Sequence, residues 1–126
     1  WDGEEPYIVP LSFGWRWEDC LTLYFHCAQG RKLDILRRFP KAAFEIDRMI
    51  RLVRGPMACS FSAQYCSLMG VGTVGFLKFS DEKRLALDAI MEQQTGQSGF
   101  SYTKDQMERV TVFYLKAERI SAKAND

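Results

Sequence analysis

A chain of 126 residues, 47% hydrophobic and 13% aromatic, carries enough apolar surface for one buried core and too little length for two ordinary domains. Its 17 basic and 16 acidic side chains nearly cancel, which excludes a long-range field drawing it to nucleic acid or to an anionic membrane, so any anion site must be local. No apolar run approaches the roughly 20 residues that span a bilayer, and the opening residues do not read as a leader; the domain is expected in the cytoplasm, with neither membrane nor nucleic acid as partner.

Residues 7–13 alternate, with Tyr7, Val9, Leu11 and Phe13 on one face and Ile8, Pro10 and Ser12 on the other, the pattern of a strand. Pro10 has no N–H to give to a ladder, so its amide position must face an unpaired side or a ligand. The stretch "GWRWEDC" supplies a turn, after which Leu21, Leu23 and Phe25 alternate with Thr22, Tyr24 and His26 as the returning strand of a hairpin. His26 therefore falls on the face opposite the leucines. Phe13, Trp15 and Trp17 read as hairpin packing or a dimer surface rather than as a stacking platform for substrate.

From residue 31 to 39 the period becomes helical, with Leu33 and Leu36, and Ile35 and Phe39, at i+3 and i+4 spacings, and Pro40 ends it. Strands are predicted over 42–47 and 64–77; the second carries Gly70, Gly72 and Gly75, where a sheet bends or another backbone comes close. Ser80 is a suitable N-cap, Asp81 and Glu82 suit the positive end of a helix dipole, and Leu85, Ala86, Ala89, Ile90 and Gln93 form a stripe that stops before Gly96. Residues 97–107 read as a loop with a turn of helix, and residues 109–120 as the closing strand. Asp34 and Glu45 read as polar faces of their elements. Five strands with helices inserted between them make a small α+β barrel, mainly β.

The four cysteines, Cys20, Cys27, Cys59 and Cys66, form no CxxC pair and accompany a single histidine, so no zinc site is expected; they read as reduced, mostly buried thiols. The junction "LTLYFHCAQGRKLDIL" holds more chemistry. A strand ends at His26, a turn of small residues follows, and Gly30, Arg31 and Lys32 open a helix. Two readings stand: a phosphate site in which backbone amides, helix dipole and two cations converge, or a solvated basic helix start beside Arg37 and Arg38.

"PYIVPLSF", "LTLYFHCAQGRKLDIL", "AAFEID" and "YCSLMGVGTVGFL", in this order and spacing, resemble the FMN-binding split-barrel superfamily, and within it the nitroimidazole-resistance-like branch related to pyridoxamine 5'-phosphate oxidase. The resemblance spans nearly the whole chain, and its most specific part is the run from Tyr24 to Asp34. It implies a split β-barrel of antiparallel strands with a few inserted helices, one FMN-binding domain over residues 1–126. It also implies a set of flavin contacts: Val9, Pro10, Leu11 and Ser12 lining the isoalloxazine, Tyr24, Phe25 and His26 bordering it, Arg31 and Lys32 gripping the phosphate, and Ser67 touching the flavin from a partner subunit. A homodimer with the flavin at its interface follows.

Departures from the pattern are equally informative. Relatives open with a helix and a strand ahead of "PYIVP", and this chain is expected to lack them. Cys27 stands where glycine is common and Cys66 where arginine is common. Nothing matches the arginine- and histidine-bearing C-terminal segment that binds pyridoxine phosphate in the oxidases, so vitamin B6 oxidation is not expected. The implied function is an FMN-dependent oxidoreductase that passes electrons from a nicotinamide donor to a small organic acceptor such as a nitro-aromatic. His26 would act there as proton donor or ligand-orienting group. A split barrel holding haem or a deazaflavin, and a flavin-binding module without turnover, are the rival readings.

Overall fold

The computed structural model describes residues 1–125. A hairpin of β1 (Gly14–Trp17) and β2 (Leu21–Cys27) leads into α1 (Arg31–Arg38). Next come β3 (Lys41–Val53), a single 3-10 turn over Ala58–Ser60, and β4 (Ser62–Phe76). Two helices, α2 (Ser80–Thr95) and α3 (Lys104–Arg109), precede the last strand, β5 (Thr111–Asn125). Every pairing is antiparallel, in the order β1-β2-β5-β4-β3. The fold is thus α+β, mainly β, in the split-barrel arrangement that the sequence implies.

Period-2 alternation decides which side chains go inside. Leu21 and Leu23 of β2, Val74 of β4, and Phe113, Leu115 and Ala117 of β5 are buried together, and Leu33 of α1 is fully buried against them. Phe13, Phe25, Phe44 and Leu68 pack around this interior cluster. A second cluster lies outside the sheet, where Ala86, Leu87 and Ile90 of α2 and Met107 of α3 cover Val112 of β5. α2 sits so close to β1 that a Cβ on Gly14 would collide with the backbone of Ala89 and Ile90, so only glycine admits the helix there. Gly72 plays the same part for the sheet itself: it lies at the register shift between β4 and β5, and a Cβ would strike the Lys116 carbonyl.

Several expectations need correction. Residues 7–13 join no ladder among the described residues; the strand begins at Gly14, in the stretch read as a turn. The alternation holds only at the end of the segment: Leu11 and Phe13 pack on the core while Ser12 stays exposed, but Val9, of the same face, is exposed like Pro10. Alternation reports which side faces the core, not whether a partner edge lies within hydrogen-bonding reach. β3 runs to Val53 rather than stopping at residue 47, because "RMIRLV" pairs with β4 through a bulge while both its faces remain exposed. β5 likewise spans Thr111–Asn125 rather than 109–120. Ser80 is the first helical residue of α2, and Phe79 takes the N-cap position without a capping side chain. α3 forms where a loop with one turn was expected, closed by a reciprocal Thr103–Gln106 capping box. The cysteines are free but not buried: Cys20 and Cys27 are half-buried, and Cys59 and Cys66 are exposed because they lie on the 3-10 turn and on the far end of β4, beyond the core.

Candidate functional site

The start of α1 is bare of caps. Gly30 is extended and no side chain bonds to the free amides. The Gly30 carbonyl accepts from Leu33 N at 3.0 Å and Asp34 N at 3.4 Å, so the amides of Arg31 and Lys32 precede the first helical bond. A Cβ on Gly30 would meet nothing within 4 Å, which leaves open space over this end. Lys32 is half-buried and Arg31 exposed. Uncapped amides, helix dipole and two cations form a donor set that fits a phosphate.

Beside them runs a groove of about 780 Å³. Val9, Pro10, Leu11 and Phe13 form one wall, Leu23, Phe25, Phe113 and Leu115 the floor, and β3 from Ala42 to Asp47 the other wall; Lys32, Ile35 and Leu36 close one end. Phe25 stacks on Phe113 with ring centroids 5.1 Å apart, and Phe113 in turn meets Phe76 at 5.9 Å, so the aromatic floor is flanked by a third ring on the neighbouring strand β4. Charge is confined to the rim, at Lys32, Lys41, Glu45 and Asp47. Lys41 is already engaged, donating to Glu118 at 2.5 Å, and this bond together with one from Thr73 holds the Glu118 carboxyl below its ordinary range. Flat apolar walls with cations at one end match an aromatic ring system carrying an anionic tail.

The residues picked out from the sequence do not share one surface. Val9, Pro10, Leu11, Phe25 and Lys32 line the groove. Ser12 and His26 do not; both are exposed and point to the outer side of the sheet. β1 and β2 pair from Trp17–Leu21 to Gly14–Tyr24, and the pairing stops there, just short of Ser12 and Phe13 on one side and of Phe25 and His26 on the other. Tyr24 shares the outer side with His26 but is covered by the α2 cluster, and burial pushes its hydroxyl pKa upward. His26 is itself exposed, although its register partner Val112 on β5 is fully buried under α2 and α3. Ser67 lies on β4 between Asp47 of β3 and Lys123 of β5, half-buried, beside the groove's rim at Asp47 but not among the groove-lining residues.

Arg31 also stands outside the groove, and its partners were not legible in advance. Its Nη2 donates to Asp2 Oδ2 at 2.8 Å, and its guanidinium lies 4.8 Å from the centroid of the Tyr7 ring. The dipeptide Asp2-Gly3 signals a turn, but nothing in it says that the carboxylate meets a cation 29 positions later. The rim carboxylates Glu45 and Asp47 were equally hidden, since alternation on an exposed edge strand reads as solvated surface. Among the described residues no helix is long and apolar enough to cross a membrane.

The sequence profile of the family described as pyridoxamine 5'-phosphate oxidase matches residues 1–124. A candidate 5-nitroimidazole antibiotic resistance protein from Bacteroides thetaiotaomicron is 32% identical in sequence and superposes with a TM-score of 0.80, covering 95% of this chain and 69% of its own. The flavocytochrome Anf3 from Azotobacter vinelandii has a TM-score of 0.75 at 20% identity, over 97% of this chain and 57% of that one. The FAD and heme binding protein from Mycobacterium smegmatis has a TM-score of 0.67 at 20% identity, over 90% and 58%. These last two share the fold, and this chain spans under two thirds of their length. No curated protein matches the sequence.

Proposed function

Because the chain belongs to the pyridoxamine 5'-phosphate oxidase family, we propose that it is a cytoplasmic, homodimeric FMN-binding split-barrel domain over residues 1–126, moving electrons from a nicotinamide donor to a small organic acceptor of the nitro-aromatic class. The observation that carries the reading is the uncapped, doubly cationic start of α1 at the end of an apolar, aromatic-floored groove. Arg31 and Lys32 would hold the FMN phosphate, Lys32 as a point charge and Arg31 through paired N–H donors. Val9, Pro10, Leu11 and Phe25 would pack on the ring, and Ser12, Tyr24, His26 and, from a second copy, Ser67 would complete its surroundings. FMN when bound supplies the hydride-accepting and electron-donating chemistry. The protein's own part is to position the ring, exclude water from one face of it, and offer the His26 imidazole as a proton donor to the reduced acceptor.

A second copy is supported by exposed apolar side chains on β3 and β4: Met49, Ile50 and Leu52 stand 50–66% exposed toward the end of β3, and Met69 46% exposed in the middle of β4, surface of the kind that a twofold interface covers. The four free thiols agree with a reducing compartment. The nitro-aromatic class rests on the 32% identity with the Bacteroides protein.

The test is an absorption spectrum of protein reconstituted with FMN, followed by anaerobic mixing with NADH or NADPH and a nitroimidazole. Expected are a bound flavin spectrum, bleaching by the nicotinamide and recovery on adding the acceptor. Failure to retain FMN overturns the reading; a Soret band on expression would give the site to haem, and bound FMN that neither nicotinamide reduces would make the chain a binding module.

A further inference from the structure

An arginine at the first position of a helix, 62% exposed in its side chain, ordinarily samples many rotamers and loses that freedom when it grips an anion. Here Arg31 is held from two sides. Nη2 donates to Asp2 Oδ2 at 2.8 Å, and the guanidinium carbon stands over the Tyr7 ring, 4.8 Å from its centroid. Asp2 is itself tied into a turn: its Oδ1 accepts from the amides of Glu4 and Glu5, both at 2.8 Å, and its own amide donates to the Glu5 carbonyl at 3.1 Å. Gly3 makes this loop feasible with φ of 107°, and the Asp2 side chain is only 12% exposed. One carboxylate oxygen is thus used by the turn and the other by Arg31.

We propose that Asp2 is a positioning residue for the anion grip, holding Arg31 with Tyr7 in the orientation that meets a phosphate at the start of α1. The inference rests on the reading of Arg31 and Lys32 as the phosphate site. A guanidinium has five N–H donors, and only Nη2 is engaged with another side chain among the described residues, so the remaining edges stay available to a second anion. The two amides that close the turn, with Arg31 after them, draw the Asp2 carboxyl below its ordinary range, so the anchor stays charged wherever the protein is folded at neutral pH. The carboxylate's repulsion of a phosphate is met by the cation between them and screened by the surrounding water.

The test compares FMN with riboflavin, which has the same ring and no phosphate, by flavin fluorescence titration of the full chain. Asp2→Asn keeps an acceptor for the two amides and removes the charge that holds Arg31. It should weaken FMN roughly three- to tenfold, the scale of freeing one rotamer-rich side chain, leave riboflavin unchanged, and add nothing in an Arg31→Ala background. Unaltered FMN affinity overturns the proposal; tighter FMN binding also does so and makes Asp2 a competitor for Arg31. Equal losses for both ligands reduce Asp2 to turn closure and overturn it too. Should Arg31→Ala itself leave FMN affinity unchanged, the phosphate site fails and takes this inference with it. A loss in Arg31→Ala without one in Asp2→Asn sinks the inference alone.

Discussion

Replacing Arg31 and Lys32 together by alanine is the sharpest test of the phosphate site. Each side chain would make a charge-assisted contact, nominally about 1.5–3 kcal/mol. Arg31 is 62% exposed and Lys32 half-buried, so water screens both and the lower end applies, about 1.5 kcal/mol each. The sum of about 3 kcal/mol corresponds to a roughly hundredfold rise in the FMN dissociation constant. Neither residue belongs to the buried core, since only Leu33 of α1 is fully buried, so the melting temperature should hardly move. Fluorescence titration with FMN and with riboflavin reads the effect directly: FMN should weaken about a hundredfold, and riboflavin, lacking the phosphate, should bind as before. A double mutant that binds FMN like the wild type would falsify the assignment, and parallel losses for both flavins would mean that the substitutions damaged the groove instead.

Three further predictions follow from other parts of the molecule. Leu33→Ala removes a side chain with 0% exposure and should cost about 3 kcal/mol, lowering the melting temperature by roughly 10 °C; a loss under about 1 kcal/mol in urea titration would show that α1 does not plug the barrel. Burial and the bond to Asp88 push the Tyr102 hydroxyl up to about 12 from its ordinary 10.0. A folded value above the unfolded one means stability that is full below pH 10 and lost as pH rises toward 12; ultraviolet titration should show a late ionisation step that Tyr102→Phe removes, leaving the raised Tyr24 in place. His26→Ala should leave FMN affinity intact while slowing reoxidation of pre-reduced FMN protein by a nitro compound about a hundredfold, the scale of losing a positioned acid; equal stopped-flow rates would demote His26 to a surface residue.

Much of the fold was legible because its signals are local. Leu21, Leu23 and Phe25 alternate within one short strand, and Leu33 and Leu36 mark one face of one helical turn, so neither needs distant information. Element ends were less legible because pairing is not local. "RMIRLV" becomes strand because β4 lies alongside it, and residues 7–13 stay out of the ladder although their alternation is better. The Thr103–Gln106 box was present in the sequence and announces α3, but a six-residue helix offers too few apolar positions for a period to show.

The site was legible in its cations and not in its geometry, because residues 7–13 alternate like a strand yet join no ladder among the described residues, so the strand period does not decide where each side chain turns. Val9, Pro10 and Leu11 all line the groove with Phe25, while Ser12 and His26 stay exposed outside it. A flavin that touches both sets must sit where the groove's rim meets the outer face, near the start of α1. Ser12 and His26 are both exposed, and Met49 and Leu52 of β3 stand 66% and 50% exposed, apolar surface open to a second copy. If a second copy encloses the flavin, dimer formation and flavin retention should rise and fall together on dilution, and FMN held undiminished by a monomer in light scattering would refute that coupling.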